Sequence, residues 1–205
     1  MKFRMLGLAV AACLVVMALV AASPASAENT ALCTVHEEPC AAANMVVTLQ
    51  AVAKDPKLLF KFMGAATVVL CERSQFTVIL GALGAPQVAT PTELKWENCE
   101  TGGTACEVTT VSMGTFDILK TALNLALMNS LGNEVNVNCV EAGITCTFGG
   151  EPQFGVEGAG HMAGAGHGMF TANKLLMKRT AGPLCEATAA LDALYEPSAN
   201  FFVVS

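Results

Sequence analysis

Eight cysteines carry the chemistry most open to inspection in residues 28–205: Cys33, Cys40, Cys71, Cys99, Cys106, Cys139, Cys146 and Cys185. Two uses compete for so many thiols, disulfide formation and zinc binding. Paired zinc ligands usually have about two to four residues between them, whereas Cys33/Cys40, Cys99/Cys106 and Cys139/Cys146 are each seven positions apart. That spacing favours oxidation over metal. Joining near neighbours gives the expected bonds Cys33–Cys40, Cys99–Cys106 and Cys139–Cys146, and leaves Cys71–Cys185 as the remaining couple. The run Asn98-Cys99-x-x-x-Gly103-x-x-Cys106 returns as Asn138-Cys139-x-x-x-Gly143-x-x-Cys146. Gly102-Gly103 and Gly143 suit the chain reversal each loop needs, because glycine tolerates positive φ.

Other reactive side chains point less clearly to a site. His161 and His167 follow Glu157 in a glycine-rich stretch, and two imidazoles can hold zinc or copper. A stretch this rich in glycine fixes three or four ligands poorly, so no metal site is expected there. His36 stands beside Glu37 and Glu38, but no serine is singled out to complete a triad and no Gly-x-Ser-x-Gly occurs. Glu97, Glu100 and Glu107 cluster around one hairpin and read as solvated charges rather than a glycosidase pair. Trp96, the one tryptophan, reads as a core or cross-strand residue rather than a sugar platform. The sequence therefore assigns no catalytic residue, no metal and no cofactor.

The elements that position these residues begin after a leader. Lys2 and Arg4 precede an apolar run from residue 5 to residue 22, Ser23-Pro24 breaks it, and Ala25-Ser26-Ala27 supplies the small-x-small cleavage pattern. Residues 1–27 are read as a secretory signal peptide cut before Glu28. The competing reading is a retained anchor helix. Removing Lys2 and Arg4 from the 11 basic residues leaves nine against 17 acidic ones, a formal −8. So acidic a chain is not expected to bind nucleic acid or an anionic membrane. No later run is apolar for the roughly 20 residues of a spanning helix, so no membrane association is expected once the leader is removed.

Residues 28–205 are expected to form a single β-rich domain, with two related hairpin units around 92–111 and 134–148. Alternating or β-branched runs at 45–52, 58–63, 66–71, 76–80, 94–99, 108–111, 134–139, 144–148, 169–178, 185–195 and 200–204 predict strands. Residues 116–128 fit a helical stripe and a strand equally well. Residues 151–168 predict a long glycine-rich loop. Ten to twelve short strands separated by turns make an all-β sandwich or barrel stabilised by disulfides.

Several segments together resemble a family of secreted, cysteine-containing, β-rich actinobacterial proteins of unknown function. They are Leu32-Cys33 with Pro39-Cys40, Val69-Leu70-Cys71-Glu72, Leu94-Lys95-Trp96-Glu97-Asn98-Cys99, Cys106-Glu107-Val108-Thr109, Val137-Asn138-Cys139, Cys146-Thr147-Phe148, and Leu184-Cys185 leading to Tyr195. The resemblance implies strand at 116–128 and carries no activity. The expected role is that of a secreted, non-enzymatic structural or interaction protein with a cell-wall or surface partner. Two other roles are an extracellular small-ligand or glycan-binding module, which needs a concave pocket lined by Met and Phe, and a secreted hydrolase, which needs converging carboxylates or a Ser–His pair.

Overall fold

The structure, a computed structural model, describes residues 29–160 and 167–205; the leader at 1–27 and His161 lie outside the described residues. Its strands in chain order are β1 (Ala31–Cys33), β2 (Thr48–Lys54), β3 (Lys57–Phe62), β4 (Ala65–Leu80), β5 (Gln87–Thr101), β6 (Thr104–Ser112) and β7 (Thr115–Ala122). They continue as β8 (Leu125–Leu131), β9 (Asn133–Cys139), β10 (Ile144–Gly150), β11 (Gln153–Glu157), β12 (Met169–Ala181), β13 (Cys185–Pro197) and β14 (Phe202–Val204).

Register shows that several of these are halves of longer strands. β2 and β3 face β4 in one unbroken frame, Lys54 opposite Arg73 and Lys57 opposite Leu70, interrupted only at Asp55-Pro56. In the same way β6 runs on into β7 past Gly114, β8 into β9 past Gly132, and β10 into β11 past Pro152. Counted as continuous staves, eight antiparallel strands follow one another around a closed barrel, in the order β2/β3, β4, β5, β6/β7, β8/β9, β10/β11, β12, β13. The last returns to the first through Tyr195 opposite Ala53 and Leu191 opposite Leu58. Closure leaves the barrel wall without an edge strand to template association. Of the two expected architectures, the barrel is the one formed.

Alternation explains which face looks inward. On β4, Val69, Cys71, Ser74, Phe76, Val78 and Leu80 are buried, while Glu72, Arg73 and Ile79 are exposed. An eight-stranded barrel is just wide enough for its own side chains to fill. Phe76 is the hub of that filling, with ring centroids 5.1 Å from Tyr195, 5.4 Å from Phe170 and 6.2 Å from Phe116. Phe154 then links Phe116 to Tyr195.

The two ends differ. At the lower end lie the tight turns at Gly64, Gly102-Gly103, 140–143 and 182–184; at the upper end lie the 81–86 connection, the Leu123-Asn124 turn, residues 158–160, and the first and last described strands. The ribbon of β1 and β14 closes the upper end, with Leu32, Phe201 and Val203 fully buried. Buried Gln87 accepts from Leu32 N at 3.1 Å and donates to Gly81 O at 3.0 Å. Buried Asn124 accepts from Val203 N at 2.8 Å and donates to Ala159 O at 2.8 Å. Each amide thus ties the ribbon to the barrel mouth without leaving a polar atom unpaired.

Two expectations about elements need correction. The stretch 151–168 is not all loop: β11 pairs with β8 and β12, placing Phe154 and Val156 inside. Glycine content hid a strand whose alternate residues are apolar. Residues 116–128 are neither a helix nor one strand but the hairpin of β7 and β8, reversing at Leu123-Asn124, where Asn124 takes φ 56°.

Candidate functional site

The lower end of the barrel is where the reactive residues gather. Among the described residues four disulfides are present, Cys33–Cys40, Cys71–Cys99, Cys106–Cys139 and Cys146–Cys185. Of the four expected bonds the first is formed. Cys71–Cys185, Cys99–Cys106 and Cys139–Cys146 are corrected, and the reason lies in register. Cys99 stands directly opposite Cys106, as the spacing suggested, but it also stands opposite Cys71 on its other side. Every inner strand residue has two lateral neighbours, and sequence spacing shows one of them. In the second repeat the turn is longer, a 3₁₀ turn at Val140–Ala142 followed by Gly143. Cys139 therefore opposes Ile144, and Cys146 opposes Val137. Equal spacing thus gives unequal register, and the two Cys–Gly–Cys runs are not structural copies. Cys185 opposes Phe62 on β3, far along that stave from the level of Cys71.

The bonds formed have a shared logic. Cys71–Cys99 joins β4 to β5, and Cys106–Cys139 joins β6 to β9, whose connecting turns lie at the upper end. Each disulfide fastens at the lower end two staves that the chain joins at the upper end. Cys146–Cys185 reaches over the turn between β12 and β13, where Arg179 donates to Pro183 O at 3.2 Å and to the carbonyl of Cys185. Gly182 makes that passage possible: its φ is 91°, and a Cβ there would meet Thr145 O and fall 2.9 Å from Cys185 Sγ.

Two shallow grooves run along this end. One reaches Cys71 and Cys99 between Asp55, Glu72 and Glu100; the other reaches Cys106 between Glu107 and Glu141. Glu97 is not part of them and lies on the outer wall, 3.9 Å from Arg73. The three glutamates around this hairpin therefore do not converge as a pair for glycoside chemistry. Among the described residues no group of three or more His, Cys, Asp or Glu side chains could hold a metal ion.

The remaining candidates are dispersed. His36 stacks on Phe202 at 5.4 Å, beside a clasp held by its carboxylates. Glu37 accepts from Asn44 at 2.6 Å and Ala41 N at 3.0 Å, and these bonds hold its carboxyl below the usual range. Glu38 pairs with the buried ammonium of Lys120, which likewise lowers its pKa. Lys120 also reaches Ser205, at 2.6 Å. These contacts anchor the Cys33–Cys40 clasp and arrange no nucleophile. His167 is exposed, its Nδ1 2.6 Å from Asn200 Oδ1. Trp96 is half-buried against the core, opposite Ser74.

Inside the barrel a space of about 50 Å³ remains among Phe76, Phe116, Met128, Phe148, Phe154 and Met177. It was not legible in the sequence, because its lining comes from nine different strands. Its polar side holds Ser130 and Asn133, which bond to each other, and the buried Asn133 Oδ1 has no partner among the described residues. Near it, Tyr195 shares a 3.0 Å hydrogen bond with Ser74, and burial pushes the phenol up to about 12. No protein-family model, no curated protein and no solved structure matches the chain. Four disulfides point to an oxidising compartment, and among the described residues no helix is long and apolar enough to cross a membrane.

Proposed function

We propose that the chain is a secreted, non-enzymatic barrel that works through its outer surface, as a structural or interaction protein of the cell exterior. The observation that carries this reading is the filled interior. Sites for drug-sized ligands run to about 300–1,000 Å³, whereas the barrel keeps about 50 Å³ after its aromatic side chains interlock. Recognition then belongs to the wall and the loops. The outer wall mixes polar pairs, with Lys61 3.1 Å from Glu186 and Gln75 2.7 Å from Glu93, with exposed apolar side chains such as Leu59, Val68, Ile79 and Leu176. Export through the leader, cleavage before Glu28 and membership of the secreted family described above are part of the same proposal. The partner it calls for is a cell-wall or surface component, and the acidic balance argues against nucleic acid.

The test is to pan residues 28–205, purified in oxidised form, against wall polysaccharides, glycans and lipids, and to assay ester, peptide and glycoside substrates. Retention on surface material without turnover is expected. Turnover of any of these substrates at an enzymatic rate overturns the reading. A second reading, that the interior takes a small neutral molecule, has in its favour the unpaired Asn133 acceptor on an otherwise apolar space. It predicts a rise in melting temperature with phenol greater than with toluene, since phenol can donate to that acceptor.

A further inference from the structure

Cys71, Cys99, Cys106 and Cys139 stand in one row across β4, β5, β6 and β9. Cys71 opposes Cys99, Cys99 opposes Cys106, and Cys106 and Cys139 lie one step beyond the Glu107–Asn138 pair. The row is bonded at its outer junctions and unbonded at its central one. We propose that this row is a thiol–disulfide exchange site, in which a two-electron reduction by a small thiol leaves a Cys99–Cys106 bond and free thiols at Cys71 and Cys139.

The central junction can take a bond without moving a strand. Thr101 opposes Thr104 across the two-residue Gly102-Gly103 turn, so hydrogen-bonded pairs alternate back from it and Cys99/Cys106 is one of them. Such pairs have Cα atoms about 5.5 Å apart, a usual separation for a disulfide. Directly opposed residues also project to the same face, so the sulfurs are on one side of the wall.

Entry is at Cys106, half-buried and lining a groove, whereas Cys71, Cys99 and Cys139 are buried. A thiolate attacks Cys106 Sγ and the Cys106–Cys139 bond breaks, Cys139 leaving as a thiolate that takes up a proton. A second thiolate resolves the mixed disulfide, releasing Cys106 thiolate and the oxidised small disulfide, which carries away the two-electron loss. Cys106 then attacks Cys99 Sγ, the Cys99–Cys106 bond forms, and Cys71 leaves and is protonated. The two new thiols are three strand spacings apart, roughly 14 Å. They cannot close on each other directly, and reoxidation must return through the central bond. Carboxylates of Glu107 and Glu141 flank the entry groove, so a cationic thiol is expected to enter faster than an anionic one.

Two measurements test the proposal. In the full mature chain carrying Cys71→Ser and Cys139→Ser, non-reducing mapping with cleavage at Glu100 should find Cys99 joined to Cys106 and no free thiol. Recovery of folded double variant with both cysteines alkylated overturns it. In the unsubstituted chain, limited reduction with a phosphine near pH 3 traps the first bond cut, because thiols exchange negligibly there. Transfer to pH 8 before alkylation should shift label from Cys106 to Cys71, leaving Cys139 labelled. Label that stays on Cys106 and Cys139 overturns the proposal, and this arm holds even where the double variant does not fold.

Discussion

Replacing both members of one wall disulfide, in the variant C106A/C139A, tests the observed connectivity and its energetic weight together. The bond closes a loop of 33 residues, against seven for Cys33–Cys40. Chain entropy alone assigns roughly 3.7 kcal/mol to the former and roughly 2.4 kcal/mol to the latter. Cys139 is fully buried, so the lost sulfur adds on the order of 1 kcal/mol of unfilled space. C106A/C139A should therefore lose about 4–5 kcal/mol and C33A/C40A, whose Cys33 is equally buried, about 3–4 kcal/mol. At about 2–4 °C per kcal/mol for a domain of this size, the wall variant should melt roughly 8–20 °C lower. Calorimetry supplies the melting temperatures, and maleimide labelling under denaturing, non-reducing conditions supplies the thiol count. Both variants should show no free thiol in residues 28–205. Two labelled thiols in C106A/C139A, at Cys99 and Cys146, would mean that the near-neighbour bonds exist after all and would refute the register argument. So would a C33A/C40A variant less stable than C106A/C139A.

Three further outcomes follow from contacts described above. Gly182→Ala puts a Cβ against Thr145 O at φ 91°, so it should cost on the order of 2–4 kcal/mol in urea unfolding and raise Cys146/Cys185 labelling. Tyr195 has its folded pKa raised from 10 to about 12 by burial, with its bond to Ser74 pulling the other way. Its contribution to stability is thus complete below pH 10 and is lost as pH rises towards 12, by up to about 3 kcal/mol. Tyr195→Phe should flatten the fall in urea midpoint between pH 9.5 and 11.5, while costing about 1 kcal/mol at pH 7 through the lost hydrogen bond. Glu38 has its pKa lowered by its hydrogen bond to Lys120, so the clasp is held above the unfolded carboxylate value and released as pH falls through the folded one. Amide protection at 32–40, taken relative to the intrinsic exchange rate, should fall as pH drops below the ordinary carboxylate range, and Glu38→Gln should remove the part that Lys120 supplies while leaving the part held by Glu37.

Much of the barrel is visible in the chain before any coordinates. Runs such as Val135-x-Val137 carry the inner face, and the glycine pairs mark true reversals. What local patterning did not disclose was continuity. Residues 66–71 and 76–80 look like separate strands because Glu72 and Arg73 break the alternation, yet both face outward within the single strand β4. The leucines of 116–128 fit two periods because a two-residue turn falls in their midst, so no single period describes them. The disulfides failed for a related reason. Spacing shows what a hairpin brings opposite a cysteine, but not what the next stave brings to its other side. Nothing in a linear pattern distinguishes the Cys99–Cys106 alignment from the two-residue offset of Cys139 and Cys146.

The order of the bonds along the chain has a consequence for how the molecule is made. Among the described residues each cysteine is joined to the next one in sequence, first to second, third to fourth, fifth to sixth and seventh to eighth, and no covalent loop encloses another. A polypeptide delivered N-terminus first into an oxidising space would meet its thiols in that same order. Cys71 would find Cys99 before Cys106 had emerged to compete for it. An oxidant that links thiols as they arrive is then sufficient, and assembly needs no later reshuffling by an isomerase.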